Sequence, residues 1–106
     1  MNITLEEIKK VNRSFGGRLL SDSSIDLALS RCKTKKSEYR QAALLIRVII
    51  VDHPFSDANK RTSLYVLGKF FPIKDQEKVA NAIIRIAKES IVDIDKIVEV
   101  IKNANR

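Results

Sequence analysis

The sequence predicts an all-α protein, a compact bundle of about six helices with a polar turn between the two central ones. Apolar residues recur at three- and four-residue intervals along most of the chain. Capping residues stand immediately ahead of several of these stripes. The single β-branched run finds no second run with which to pair.

Taken in order, Thr4-Leu5-Glu6-Glu7 is a capping box, with Thr4 at the N-cap and Glu7 three residues later. Leu5, Ile8 and Val11 follow at helical spacing, and Gly16-Gly17 end this helix near Ser14. Ser21 to Ser24 offer caps for a second helix carrying Ile25, Ala28, Leu29 and Cys32 on one side. The basic stretch after Cys32 is a loop or a frayed end. Ser37 to about Asp52 reads as a buried central helix with Arg47 on a polar face or in a pocket. Val48-Ile49-Ile50-Val51 would suit a strand, but the whole apolar run is longer than a usual buried strand. From about Ala58 to Phe71 the stripe Leu64, Leu67, Gly68, Phe71 marks the next helix, which Pro72 stops. Gly68 is expected to let another helix approach closely. Val79, Ile83, Ile86 and Ala87 mark a fifth helix. Ile94, Ile97, Val98 and Ile101 mark the last, with Asp93 as its N-cap.

At 106 residues without a linker or internal repeat, the chain is expected to form one domain over residues 1–106. One cysteine, Cys32, and one histidine exclude an internal disulfide and a Cys-rich zinc site. MNITLEEIKK is too acidic and polar for a signal peptide, and Ala42–Val51 is too short to span a bilayer and contains Arg47. A soluble cytoplasmic protein with no membrane partner is expected. A net charge of +7 favours anionic partners: nucleic acid, nucleotide phosphates or an acidic protein. Arg31, Lys33, Lys35, Lys36 and Arg40, offset by Glu38, form the densest excess. They read as a solvated loop rather than a nucleic-acid surface, because only Tyr39 interleaves an aromatic ring among them.

The turn His53–Arg61 gathers the only histidine, an aspartate, an asparagine, a lysine and an arginine between two apolar segments. A helix beginning here presents unpaired N–H groups and a partial positive charge. With Asn59, Lys60 and Arg61 beside those amides, the turn suits phosphate. A carboxylate at Asp57 suits Mg²⁺ shared with phosphate oxygens. His53 suits proton removal from a hydroxyl near neutral pH, and Phe55 suits an anchor in the core. On the residues alone a blander reading stands beside this one: His53 as a turn residue before proline, Asp57 as an N-cap, and Asn59-Lys60-Arg61 as a solvated first turn. The glycines of a Walker loop are missing.

His53-Pro54-Phe55-Ser56-Asp57-Ala58-Asn59-Lys60-Arg61 resembles the signature of Fic/Doc (Fido) proteins. That signature reads His, any residue, Phe, any residue, Asp or Glu, Ala or Gly, Asn, Lys or Gly, Arg. Leu5-Glu6-Glu7-Ile8 followed by Phe15-Gly16-Gly17 is similar to the N-terminal helix and glycine turn of death-on-curing (Doc) toxins. The resemblance implies an all-helical domain that moves part of a nucleotide, with ATP as co-substrate and Mg²⁺, onto a hydroxyl of a protein target. It implies His53 as base, Asp57 as metal ligand, Asn59, Lys60 and Arg61 with the amides around Ala58 as phosphate holders, and Phe55 as a structural residue. The AMP-transferring branch has glycine at the position of Lys60 and a second arginine at that of Leu64. Both departures are Doc-like, and imply phosphorylation of a target such as elongation factor Tu and control by a separate antitoxin protein. The stretch Ser90 to Asp95 lacks the glutamate of the family's self-inhibitory motif. AMP transfer, or a catalytically inactive binding module, is the alternative.

Overall fold

The computed structural model describes residues 3–35 and 37–106; Lys36 of the basic stretch and the Met1-Asn2 start of the N-terminal segment lie outside the described residues. The elements are α1 (Leu5–Ser14), α2 (Ser23–Cys32), α3 (Glu38–Arg47) continued by a π-helical turn (Val48–Asp52), α4 (Asn59–Phe70), α5 (Gln76–Lys88) and α6 (Ile94–Ala104). Among the described residues there is no strand, only one isolated antiparallel bridge between Leu19 and Phe55. The expected six-helix, all-α architecture is therefore the one observed.

Local chemistry sets most helix starts. Thr4 Oγ1 accepts from the Glu7 amide at 3.2 Å, Ser37 Oγ from Arg40, Asp75 Oδ1 from Lys78 and Asp93 Oδ1 from Lys96. The stretch Ser21–Ser24 does supply the N-cap residue of α2, Asp22, but in helical backbone, and its side chain makes no capping bond.

Helix α3 lies at the centre, flanked by α2, α4 and α6. Its residues Ala42, Ala43, Leu45 and Ile46 are fully buried. The expected helix from Ser37 to Asp52 is continuous, but its last turn is wider than α. β-Branched side chains crowd the preceding turn of an α-helix, and Val48-Ile49-Ile50-Val51 supplies four in a row. Tertiary burial keeps the run helical, since Ile49 and Ile50 both enter the core.

Helix α4 is rotated from the stripe read in the sequence. Its buried face is Thr62, Ser63, Val66, Leu67 and Phe70, whereas Leu64 is half-buried and Gly68 is exposed. Two of these inward residues are polar, so counting apolar positions alone misplaces the face. Gly68 makes no close helix contact: a Cβ there would meet only the Ile73 Cδ1, at 3.7 Å. Beyond α4, Phe71 stacks on Tyr39 with ring centroids 4.3 Å apart. Asn105 at the end of α6 accepts from the Lys74 amide and donates to the Pro72 carbonyl. These contacts fix the α4–α5 connection to the far end of the bundle.

Candidate active site

The π-helical turn ends at His53, whose backbone is left-handed (φ 49°, ψ 61°) and whose side chain is exposed. This reversal swings the chain off the axis of α3. Pro54 and Phe55 then turn inward, and Phe55 is 2% exposed. The backbone around Phe55 is held by the segment after α1. The Leu20 amide donates to the Pro54 carbonyl at 2.7 Å and the Ser56 amide to the Arg18 carbonyl at 2.8 Å, while Ser56 Oγ accepts from the Arg18 amide at 3.0 Å.

Asp57 is exposed, and its Oδ1 accepts from the Ala58 amide at 2.7 Å. Ala58 is also left-handed (φ 61°) and occupies the N-cap position of α4, with no side chain capping the helix. Asn59 Nδ2 donates back to the Phe55 carbonyl at 3.0 Å, which closes the turn, and its Oδ1 is buried without a partner. Lys60 and Arg61 are exposed, and the Arg61 guanidinium lies over the Phe15 ring, 5.4 Å from its centroid.

Of the residues singled out in the sequence, His53, Asp57, Ala58, Asn59, Lys60 and Arg61 all line one cleft of about 660 Å³, with Phe15, Ile50, Ser56 and Ala87 completing its wall. Phe55 alone sits behind the cleft, in the core. His53 and Asp57 both line the same hollow. That hollow holds two cationic side chains, Lys60 and Arg61, and the start of a helix dipole. Among the described residues no three His, Cys, Asp or Glu side chains converge as a metal cage. Asp57 is a lone carboxylate with one oxygen engaged by the Ala58 amide. That donor set fits a Mg²⁺ ion whose other ligands are phosphate oxygens and water, and does not fit a metal held by protein alone.

Three features of the site escape a reading of the motif. Asn12 is 1% exposed, and its Nδ2 donates to the Asp57 carbonyl at 2.9 Å and to Thr62 Oγ1 at 3.0 Å. It ties α1 to both the turn and α4. Its signal in the sequence is a polar residue four positions after Ile8, on the face of α1 that should be apolar. Gly17 is the second: a Cβ there would stand 2.1 Å from Asn12 Oδ1 and 2.6 Å from the Asp57 carbonyl oxygen. No other residue lets the turn come so near α1. The third is a polar pin between α1 and α4. Tyr65 donates to Glu7 Oε2 at 2.6 Å and Lys69 Nζ lies 3.0 Å from the same oxygen. The Tyr65 hydroxyl first, then the Lys69 ammonium, holds the Glu7 carboxyl below its ordinary range. Donation to Glu7 raises the Tyr65 phenol and the Lys69 ammonium in turn.

No helix of the described residues is long and apolar enough to cross a membrane. Comparison with curated proteins and with solved structures finds no match. A family model described as the Fic/DOC family matches residues 5–71, from the first residue of α1 to Phe71, just after α4. The match covers more than half of the 106 residues and contains every residue that lines the cleft except Ala87. A helical bundle with this motif in its central turn, matched over that span, belongs to the Fic/DOC family.

Proposed function

We propose that the cleft takes a nucleoside triphosphate with Mg²⁺ and passes the terminal phosphoryl group to a hydroxyl of a protein, as the resemblance to death-on-curing toxins implies for elongation factor Tu. The observation that carries this reading is the open N-terminus of α4. Ala58 supplies no cap, and the helix begins in a hollow that His53, Asp57 and Lys60 also line. Unpaired amides at a helix start attract phosphate oxygens, and Lys60 and Arg61 add full charges beside them.

In this mechanism His53 removes the proton of the acceptor hydroxyl, and the oxygen attacks the terminal phosphorus. The bond from that phosphorus to its bridging oxygen breaks, and a nucleoside diphosphate leaves. Asp57 would hold Mg²⁺ through its free oxygen, and the ion when bound neutralises charge on the phosphates. The transition state is loose, so catalysis consists of positioning and of cations around the phosphate oxygens. Lys60 and Leu64 favour phosphoryl over AMP transfer, since they stand where the AMP-transferring branch has a glycine and a second arginine. An antitoxin that covers the cleft belongs to the same reading.

The test is incubation of the protein, Mg²⁺ and purified elongation factor Tu with ATP labelled at the γ- or at the α-phosphate. Transfer of the γ-label alone is expected. Transfer of the α-label would establish AMP transfer instead. No transfer of either label, with no nucleotide binding by calorimetry, would make the domain a binding module.

A further inference from the structure

Gly68 stands in the interior of α4, exposed, with nothing packed close against it. Only proline is less favourable than glycine inside a helix, and here neither a left-handed backbone nor a helix crossing requires one. What Gly68 does is floor a groove of about 350 Å³ on the outer side of α4. The groove is walled by Phe15, Tyr65 and Ile73 and edged by Gln76 and Arg61. Phe15 and Arg61 also line the phosphate cleft, so the two hollows meet at this stacked pair.

We propose that this groove takes the base and ribose of the nucleotide whose phosphates lie at the start of α4. The proposal rests on the phosphate reading of the cleft. Its chemistry is that of a base site: rings and aliphatic carbon on the walls, with one amide, Gln76, able both to donate and to accept. Tyr65 and Lys69 also line the groove but spend their polar ends on Glu7, which leaves ring and methylenes for the ligand. The spacing agrees as well. Arg61 and Gly68 are seven residues apart on one helix, about 10 Å along its axis at 1.5 Å per residue. That is the length by which a ribose and the inner phosphate separate a base from the terminal phosphates. Arg61 would stand at the phosphate end of that span, and Gly68 at the end that takes the base. A side chain at position 68 would occupy the space of the base, which is why the helix carries glycine there.

The experiment is calorimetry of the full chain with two probes, Mg²⁺–ATP and inorganic tripolyphosphate, on wild type, Gly68→Ala and Gly68→Leu. Gly68→Ala should melt higher than wild type, because its Cβ meets only Ile73 Cδ1 at 3.7 Å, and Gly68→Leu, whose further carbons enter the open groove, should melt no lower than wild type. Weaker binding then cannot be loss of fold. Gly68→Leu should bind Mg²⁺–ATP at least ten-fold more weakly and tripolyphosphate as wild type does, with Gly68→Ala between. Equal affinity of wild type and Gly68→Leu for Mg²⁺–ATP, with tripolyphosphate still bound, overturns the base site and leaves the phosphate cleft standing. Equal loss of both probes in Gly68→Leu also overturns it, since the groove would then act on the phosphates. If wild type binds neither probe, the phosphate reading fails and this inference fails with it.

Discussion

Replacing Asn12 by alanine separates what holds the site from what acts in it. The side chain is 1% exposed, and its hydrogen bonds reach the cleft lining only at Asp57, whose carbonyl it holds. Two donated hydrogen bonds are lost, to the Asp57 carbonyl and to Thr62 Oγ1. At roughly 1 kcal/mol net for each, their removal costs about 2 kcal/mol. A smaller gain opposes this, because Asn12 Oδ1 is buried without a partner and its desolvation penalty disappears with it. The net expectation is a loss of about 1–2 kcal/mol, read as a lower urea midpoint at unchanged slope. Asn12→Asp should cost more than Asn12→Ala. It exchanges the donor for a second acceptor oxygen facing a carbonyl, and adds a buried unpaired charge. Phosphoryl transfer by Asn12→Ala, measured well below its melting temperature, should fall although no group in the cleft has changed. A urea midpoint equal to that of wild type, or Asn12→Asp at least as stable as Asn12→Ala, would refute the bracing role.

Gly17→Ala should lower stability by about 1–3 kcal/mol, because the new methyl meets the backbone oxygen of Asp57, which cannot rotate away; thermal unfolding checks this. Ala58→Gly should raise stability by about 0.5–1 kcal/mol by relieving the left-handed alanine, and an unchanged or lower melting temperature would count against strain there. His53→Ala should bind Mg²⁺–ATP normally and transfer no phosphate, whereas Asp57→Ala should lose the Mg²⁺-dependent part of nucleotide affinity. Losing one such contact costs on the order of 10²–10³ in rate, so normal transfer by His53→Ala rules out the imidazole as base. Glu7 is held below its ordinary value of 4.5 by Tyr65 and Lys69. Its contribution to stability is therefore complete above that value and lost as pH falls through the depressed one. Glu7→Gln should flatten the acid limb of the stability–pH curve, and an unaltered limb would show that the pin carries no weight.

The parts of the fold legible in the sequence are those set by residues near one another in the chain. Thr4 as the cap of α1, Asp93 with its stripe, and the turn from His53 to Arg61 are all local patterns found in place, whereas the Glu7 half of the capping box bonds Tyr65 and Lys69 instead of the Thr4 amide. What stayed hidden depends on long-range contact. Asn12 meets Asp57 and Thr62 across 45 and 50 positions, and no spacing rule connects them. The buried face of α4 departs from the predicted stripe for the same reason. Thr62 is inward because Asn12 is there to bond it, so its burial is invisible without α1. Gly68 within the apolar stripe predicts a close helix contact, but glycine marks only that space is needed, and only the fold shows that no helix fills it.

The division of labour in the turn follows from its backbone. Two non-glycine residues, His53 and Ala58, are left-handed within six positions, and a π-helical turn leads into the first. Each such conformation costs of order 1–3 kcal/mol and persists only where neighbours over-determine it. Here the neighbours can be named: Phe55 in the core, its carbonyl held by Asn59, the Pro54 and Ser56 backbone paired with the segment after α1, and the Asp57 carbonyl held by Asn12. All of these braces work through buried or half-buried side chains or main chain. The imidazole, the Asp57 carboxylate and the two cations are exposed and free of them, apart from the bond between Asp57 and the Ala58 amide. A ligand entering the cleft therefore meets groups whose backbone is already fixed, and binding does not have to order the turn. On this argument, loosening a brace lowers the rate of transfer more than it lowers nucleotide affinity. Charge still attracts phosphate to a loosened turn, whereas in-line attack requires His53 at one distance and angle.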